Sequence, residues 1–151
     1  MKYVYDDGGR AVAGFRGSAE GDCVCRAISI AAQLPYDVVY DRINDVAQTE
    51  RPRIRVRGKL RGKRAPRSSA RTGVIKPTTR RILEQLGWKW VPTMFIGHGT
   101  KVHLTDGELP MGRLIVQCSK HLTTVIDGVI HDIYDPSRDG TRAVYGYWIK
   151  K

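Results

Sequence analysis

Ser119-Lys120-His121-Leu122-Thr123-Thr124-Val125-Ile126-Asp127-Gly128-Val129-Ile130-His131-Asp132 is the stretch that decides the fold. An Asp-Gly pair between two β-branched, apolar runs signals a two-residue hairpin turn, because both turn positions need a positive φ that Gly takes freely and Asp tolerates. Such a turn pairs Ile126 with Val129, Val125 with Ile130, Thr123 with Asp132 and His121 with Tyr134. Side chains alternate across a strand, so His121, Thr123, Val125, Ile130, Asp132 and Tyr134 share one face. Asp132 becomes the diagonal neighbour of His121, within hydrogen-bond reach, and Asp135 points to the other face unless a bulge intervenes.

Outward from the hairpin, the chain after Trp88 is rich in β-branched and aromatic residues. It is broken by turn signals at Gly97-His98-Gly99, Asp106-Gly107, Asp127-Gly128 and Asp139-Gly140. This predicts strands at 88–92, 113–118, 121–126, 129–134 and 143–149, forming an antiparallel sheet. Before Trp88 the period is helical. Asp22 suits an N-cap, and Cys23, Ala27, Ile30 and Ala31 form one stripe of a helix running to about Gln33. Pro35 suits a first helical position, with Val38, Val39, Ile43 and Val46 on the inner face of a helix that ends before Arg51. A third helix runs from Thr78 to Leu86, started by Pro77 and stopped by Gly87. The expectation is one α+β domain, residues 1–151, with N-terminal helices packed on a C-terminal antiparallel sheet.

The 151 residues carry a net charge of +11, and 41% of them are hydrophobic, enough for a core. Half of the positive charge lies in one place. Residues 51–81 hold 13 of the 26 Lys and Arg with no Asp or Glu, which leaves the remainder at 13 − 15 = −2. A basic arm at about 49–73 follows, its first half an edge strand through Arg53-Ile54-Arg55-Val56-Arg57 and its second half, 62–71, a mobile loop. Arg61, Lys63, Arg64 and Arg67 are the expected polyanion contacts, for a nucleic acid or an acidic protein. No apolar run approaches the roughly 20 residues that span a bilayer, and three cysteines make a poor disulfide framework. With no apolar stretch of a secretory leader at the N-terminus, a reduced, cytoplasmic protein with no membrane partner is expected.

Cys23 stands at the expected start of the first helix, where free N–H groups and a partial positive charge favour a thiolate. A histidine beside it completes a nucleophile and base. Cys25 lies about 200° around the same helix and is the competing thiol. Cys23, Cys25, Cys118, His98, His103, His121 and His131 are possible zinc ligands, but their spacing fits no paired ligand arrangement, so no metal or cofactor is expected. Gly97-His98-Gly99-Thr100-Lys101 lacks the spacing of a phosphate-binding loop.

A cysteine heading the first helix, a histidine on a strand and an acid on the next, in that order, resembles the papain-like cysteine peptidases, notably their small bacterial cell-wall and leader-peptide branches. Asp22-Cys23-x-x-Arg26-Ala27, Gly87-Trp88-x-Trp90-x-Pro92-Thr93-Met94, Val102-His103-Leu104, Asp135-Pro136-Ser137-Arg138 and Val144-Tyr145-Gly146-Tyr147-Trp148 also resemble a group of small phage and bacterial proteins of that type. The resemblance implies a papain-like fold and a cysteine-dependent hydrolase, a peptidase or an isopeptidase/amidase, working in the host cytoplasm if phage-encoded. Cys23 would attack the carbonyl, His121 would carry the proton and Asp132 would orient His121, with the basic arm docking an acidic or nucleic-acid-bound protein or peptide substrate. The alternative is a non-catalytic binding protein for nucleic acid or protein on the same scaffold. The family's oxyanion glutamine before the cysteine is missing from residues 14–21, leaving the Cys23 N–H as one donor and the second unassigned.

Overall fold

A computed structural model describes residues 1–17 and 21–151. In the hairpin, φ is 47° at Asp127 and 79° at Gly128, as a two-residue turn requires. The turn joins β6 (His121–Ile126) to β7 (Val129–Asp132), with Ile126 opposite Val129 and Val125 opposite Ile130. β5 (Arg113–Cys118) pairs with the other edge of β6, setting Cys118 opposite His121 and Val116 opposite Thr123. β4 (Trp88–Pro92) and β8 (Gly146–Lys150) complete the strands expected in the C-terminal half.

The sheet is mixed, which corrects the wholly antiparallel expectation. Among the described residues a further strand, β1 (Lys2–Tyr5), lies parallel to β7 and gives the order β1-β7-β6-β5-β8-β4. Lys2-Tyr3-Val4-Tyr5 is too short to read as a strand alone, and the uncovered edge of β7 supplies its ladder. Two boundaries also move. β7 ends at Asp132 rather than 134, and β8 begins at Gly146 rather than 143.

The helices are α1 (Cys23–Ala32), α2 (Tyr36–Ala47) and α3 (Lys76–Gln85), with Pro35 preceding α2 rather than opening it. The buried arc of α1 is wider than the expected stripe. Val24, Cys25, Ala27, Ile28 and Ala31 are buried, whereas Cys23 and Ile30 are only partly covered, because α1 packs against both β6 and α2. Asp22 does not cap α1 with its side chain. Its carboxylate instead accepts from the Arg26 guanidinium and, at 2.7 Å, from the Tyr36 hydroxyl, with Arg10 Nε 3.4 Å away. Charged donors outcompete the helix N–H groups for a buried carboxylate.

Both sheet faces are covered. On one, Ile115, Leu122 and Trp148 meet the core residues of the three helices, and Thr124 donates to the Ala27 carbonyl at 2.8 Å. On the other, Leu114, Val116, Val125 and Ile130 pack under Leu104 and Val144. Burying these side chains stabilises by about 1.5–3 kcal/mol each.

The arm is more built than a loop. β2 (Arg53–Ile54) pairs with β3 (Arg64–Ala65), and Arg55 and Lys63 extend the ladder with an N–H to carbonyl bond of 2.8 Å. Residues 66–71, expected to be mobile, are tied down. The Ser68 N–H donates to Glu50 at 2.8 Å, the Ala70 N–H donates to Asn44 at 3.0 Å, and Ala70 itself is buried in the helix-side core.

Candidate active site

His121 opens β6 and Asp132 closes β7, so both stand at one end of the sheet, where α1 begins. The hairpin register brings His121 Nε2 and Asp132 Oδ2 to 2.7 Å, with both side chains buried. The same carboxylate accepts from the Thr123 hydroxyl at 2.7 Å and from the Ile133 N–H at 2.7 Å, and Arg26 on α1 approaches it at 3.4 Å. Asp135 faces elsewhere, accepting from the Ser137 N–H at 2.9 Å within its own turn. Among the described residues Asp132, and not Asp135, is the acid on the histidine.

Burial alone would push the Asp132 carboxyl up. The bonds from His121 and Thr123, the nearby imidazolium and the Ile133 N–H outweigh that and hold it below the usual range. Burial likewise works to lower the His121 value, but hydrogen bonds with Asp132 and with the Cys23 side chain reverse it and keep the imidazole above its ordinary value. Nε2 is taken by Asp132, so Nδ1 is the nitrogen left for the thiol. The Tyr134 hydroxyl also lies 3.3 Å from Nδ1.

Cys23 and His121 border the same cleft of about 240 Å³, whose wall includes Gly21, Thr72, Gly73, Lys76, Gln117 and Lys120. The other two thiols lie apart from it. Cys25 is fully buried, donates to the Tyr36 carbonyl at 3.7 Å and is pushed up to about 12 by desolvation, and buried Cys118 is pushed up to about 11 by the same cause. Because Asp22 is drawn into its own ion network, its carboxylate does not seal the first turn of α1 beside Cys23. Gln117 is not the missing oxyanion donor. Its Nε2 is directed to the carbonyls of Cys118 at 2.7 Å and His121 at 3.2 Å. Residues 18–20, part of the stretch read for that donor, lie outside the described residues.

Arg61, Lys63, Arg64 and Arg67 are exposed on or beside the β2–β3 hairpin, and Arg67 donates to Gln48 at 2.8 Å. Among the described residues no group of three or more His, Cys, Asp or Glu is placed to hold a metal ion, and no helix is long and apolar enough to cross a membrane. Sequence reading placed Thr123 and Tyr134 on the histidine face without giving them a role. Arg26 entered only as part of the Asp22-Cys23-x-x-Arg26-Ala27 stretch, although Asp22 and Arg26 at i and i+4 signal an ion pair that here extends to Asp132. Comparison with protein-family models, curated proteins and solved structures finds no match for this chain.

Proposed function

We propose that the protein is a cysteine-dependent hydrolase of amide or isopeptide bonds, papain-like in the order and roles of its residues. One observation carries this reading. A single buried imidazole is hydrogen-bonded through Nε2 to Asp132 and lines one open cleft with the half-buried thiol of Cys23 at a helix start, whose side chain helps to raise the imidazole's value. His121 Nδ1 takes the thiol proton as Cys23 Sγ attacks the substrate carbonyl, and the tetrahedral oxygen turns toward the Cys23 N–H at the positive end of α1. Collapse expels the amine, which leaves with the proton from His121. Water, deprotonated by the same imidazole, then hydrolyses the thioester and frees the thiol. Asp132 fixes the imidazole so that Nδ1 stays available to the thiol, and Thr123 and Arg26 hold Asp132.

The exposed cations of the β2–β3 hairpin would dock an acidic or nucleic-acid-bound protein or peptide substrate. Free thiols suit a reducing setting such as the cytoplasm. A second reading, a non-catalytic binder of nucleic acid or acidic protein, is favoured by that same hairpin. A peptidyl vinyl sulfone separates the two. A covalent adduct mapped to Cys23 and lost in His121→Ala supports the hydrolase. An unmodified Cys23, together with salt-dependent nucleic-acid binding, selects the binder.

A further inference from the structure

The cleft does not end at Cys23 and His121. Lys76, Thr79 and Gln117 line both the cleft and a second pocket of about 140 Å³, whose wall also includes Arg80, Trp90, Tyr145 and Trp148. An apolar pocket of about 150 Å³ admits a benzene ring, so a side chain of that size fits here. Because the two spaces share three wall residues, a side chain of a molecule whose carbonyl lies at Cys23 is within reach of the second pocket.

Charge decides which side chain. Lys76 Nζ stands 5.3 Å over the Tyr145 ring and the Arg80 guanidinium 5.5 Å over the Trp148 ring. The aromatic wall thus holds two cations against the pocket, and its lining contains no carboxylate. The described ion pair of Arg80 is an exposed one with Glu84 at 3.3 Å, a weak competitor. An apolar side chain would strip water from two cations and return nothing, and a cationic one would be repelled. A carboxylate would meet both, with the fork of Arg80 able to take it through two N–H groups.

We propose that this pocket is a substrate subsite for a carboxylate-bearing side chain, an assignment that rests on the hydrolase reading above. It makes two of the 13 cations of residues 51–81 part of substrate selection beside the scissile bond rather than of the distant hairpin.

Peptidyl vinyl sulfones test it, with Glu, Gln or Lys placed one, two or three residues from the reactive carbon and alkylation of Cys23 followed by mass spectrometry. At one spacing the Glu probe reacts about tenfold or more faster than its Gln twin, the discrimination expected of a charge-assisted bond, and the Lys probe is slowest. In Lys76→Ala/Arg80→Ala that Glu to Gln ratio falls toward one. The ratio cancels any change in thiol reactivity, and both side chains are exposed, so the core is untouched. A ratio near one at all three spacings, with alkylation still dependent on His121, overturns the subsite and leaves the hydrolase reading standing. Absence of Cys23 alkylation by every probe overturns the hydrolase reading instead. The pocket is then judged in Cys23→Ala by titration with acetyl-Glu-Gly-amide and acetyl-Gln-Gly-amide. Trp90 and Trp148 indole resonances that move with the first alone keep the pocket as a carboxylate site but no longer as a substrate subsite, and resonances that move with neither overturn both.

Discussion

Thiol selectivity puts the site to its sharpest test. At pH 7.5 an ordinary thiol with the reference value of 9.0 is about 3% thiolate, whereas Cys25 at about 12 has a thiolate fraction of about 3 × 10⁻⁵ and Cys118 at about 11 one of about 3 × 10⁻⁴. Both are also fully buried, so alkylation needs an opening of the core, while Cys23 sits at the mouth of the cleft. Iodoacetamide at pH 7.5, quenched over time and mapped by peptide mass, should therefore modify Cys23 at least about a hundredfold faster than either other cysteine in the folded protein, and all three alike in urea. His121→Ala separates activation from mere exposure, since the side chain stays accessible but loses its base. A fall in rate of about tenfold or more is expected, within the usual worth of a general base. Labelling of Cys118 or Cys25 within tenfold of Cys23, or an unchanged rate in His121→Ala, would refute the reasoning.

The His121 imidazole titrates above 6.5, so its protonated form stabilises the fold below pH 6.5 and that contribution is lost as pH rises through the raised value. Asp132→Asn should shift the imidazole downward in an NMR titration, and an unmoved value would remove Asp132 from its role. The Glu50 carboxyl is held low against burial by bonds from Ser68 and Thr78, so its contribution is present above 4.5 and lost as pH falls through the lowered value. Glu50→Gln should cost about 1–3 kcal/mol in urea unfolding at pH 7 and less at pH 4. Replacing Arg61, Lys63, Arg64 and Arg67 by Ser should leave the melting curve in place. If the hairpin binds duplex nucleic acid, the four changes should also flatten the salt slope by roughly 3 to 4, measured by anisotropy. Gly146→Ala would set a Cβ 2.4 Å from the Trp90 ring and 2.8 Å from the Val91 carbonyl, and should destabilise by about 1–3 kcal/mol, read in a denaturant melt.

The His121–Asp132 contact was legible because both residues lie in one hairpin, where turn type alone fixes register and face, and the position of Cys23 was legible because a helix start marks it. What escaped depends on partners far along the chain. β1 is four residues whose ladder is supplied by a strand more than a hundred positions away. Asp22 reads locally as a cap, but Arg26, Tyr36 and Arg10 claim its carboxylate. The second half of the arm looks like solvated loop by composition, yet Glu50 and Asn44 bind its backbone. The groove beyond Cys23 draws on α3, β4, β5, β8 and the loop before β8, a convergence that no local pattern announces.

The parallel strand β1 has a consequence for how the protein is made. Lys2 pairs with Val129 and Tyr5 with Asp132, and the Asp6 N–H continues the ladder to the Asp132 carbonyl at 2.8 Å. A ribosome delivers Cys23 on its helix 98 positions before His121, and residues 2–5 must wait longer still for the strand they flank. Such distant pairing closes late in folding. On the proposed reading, the Cys23 thiol thus leaves the ribosome well ahead of the imidazole that would serve it, and the site is complete only after β7 has emerged and β1 has returned to seal the edge beside Asp132.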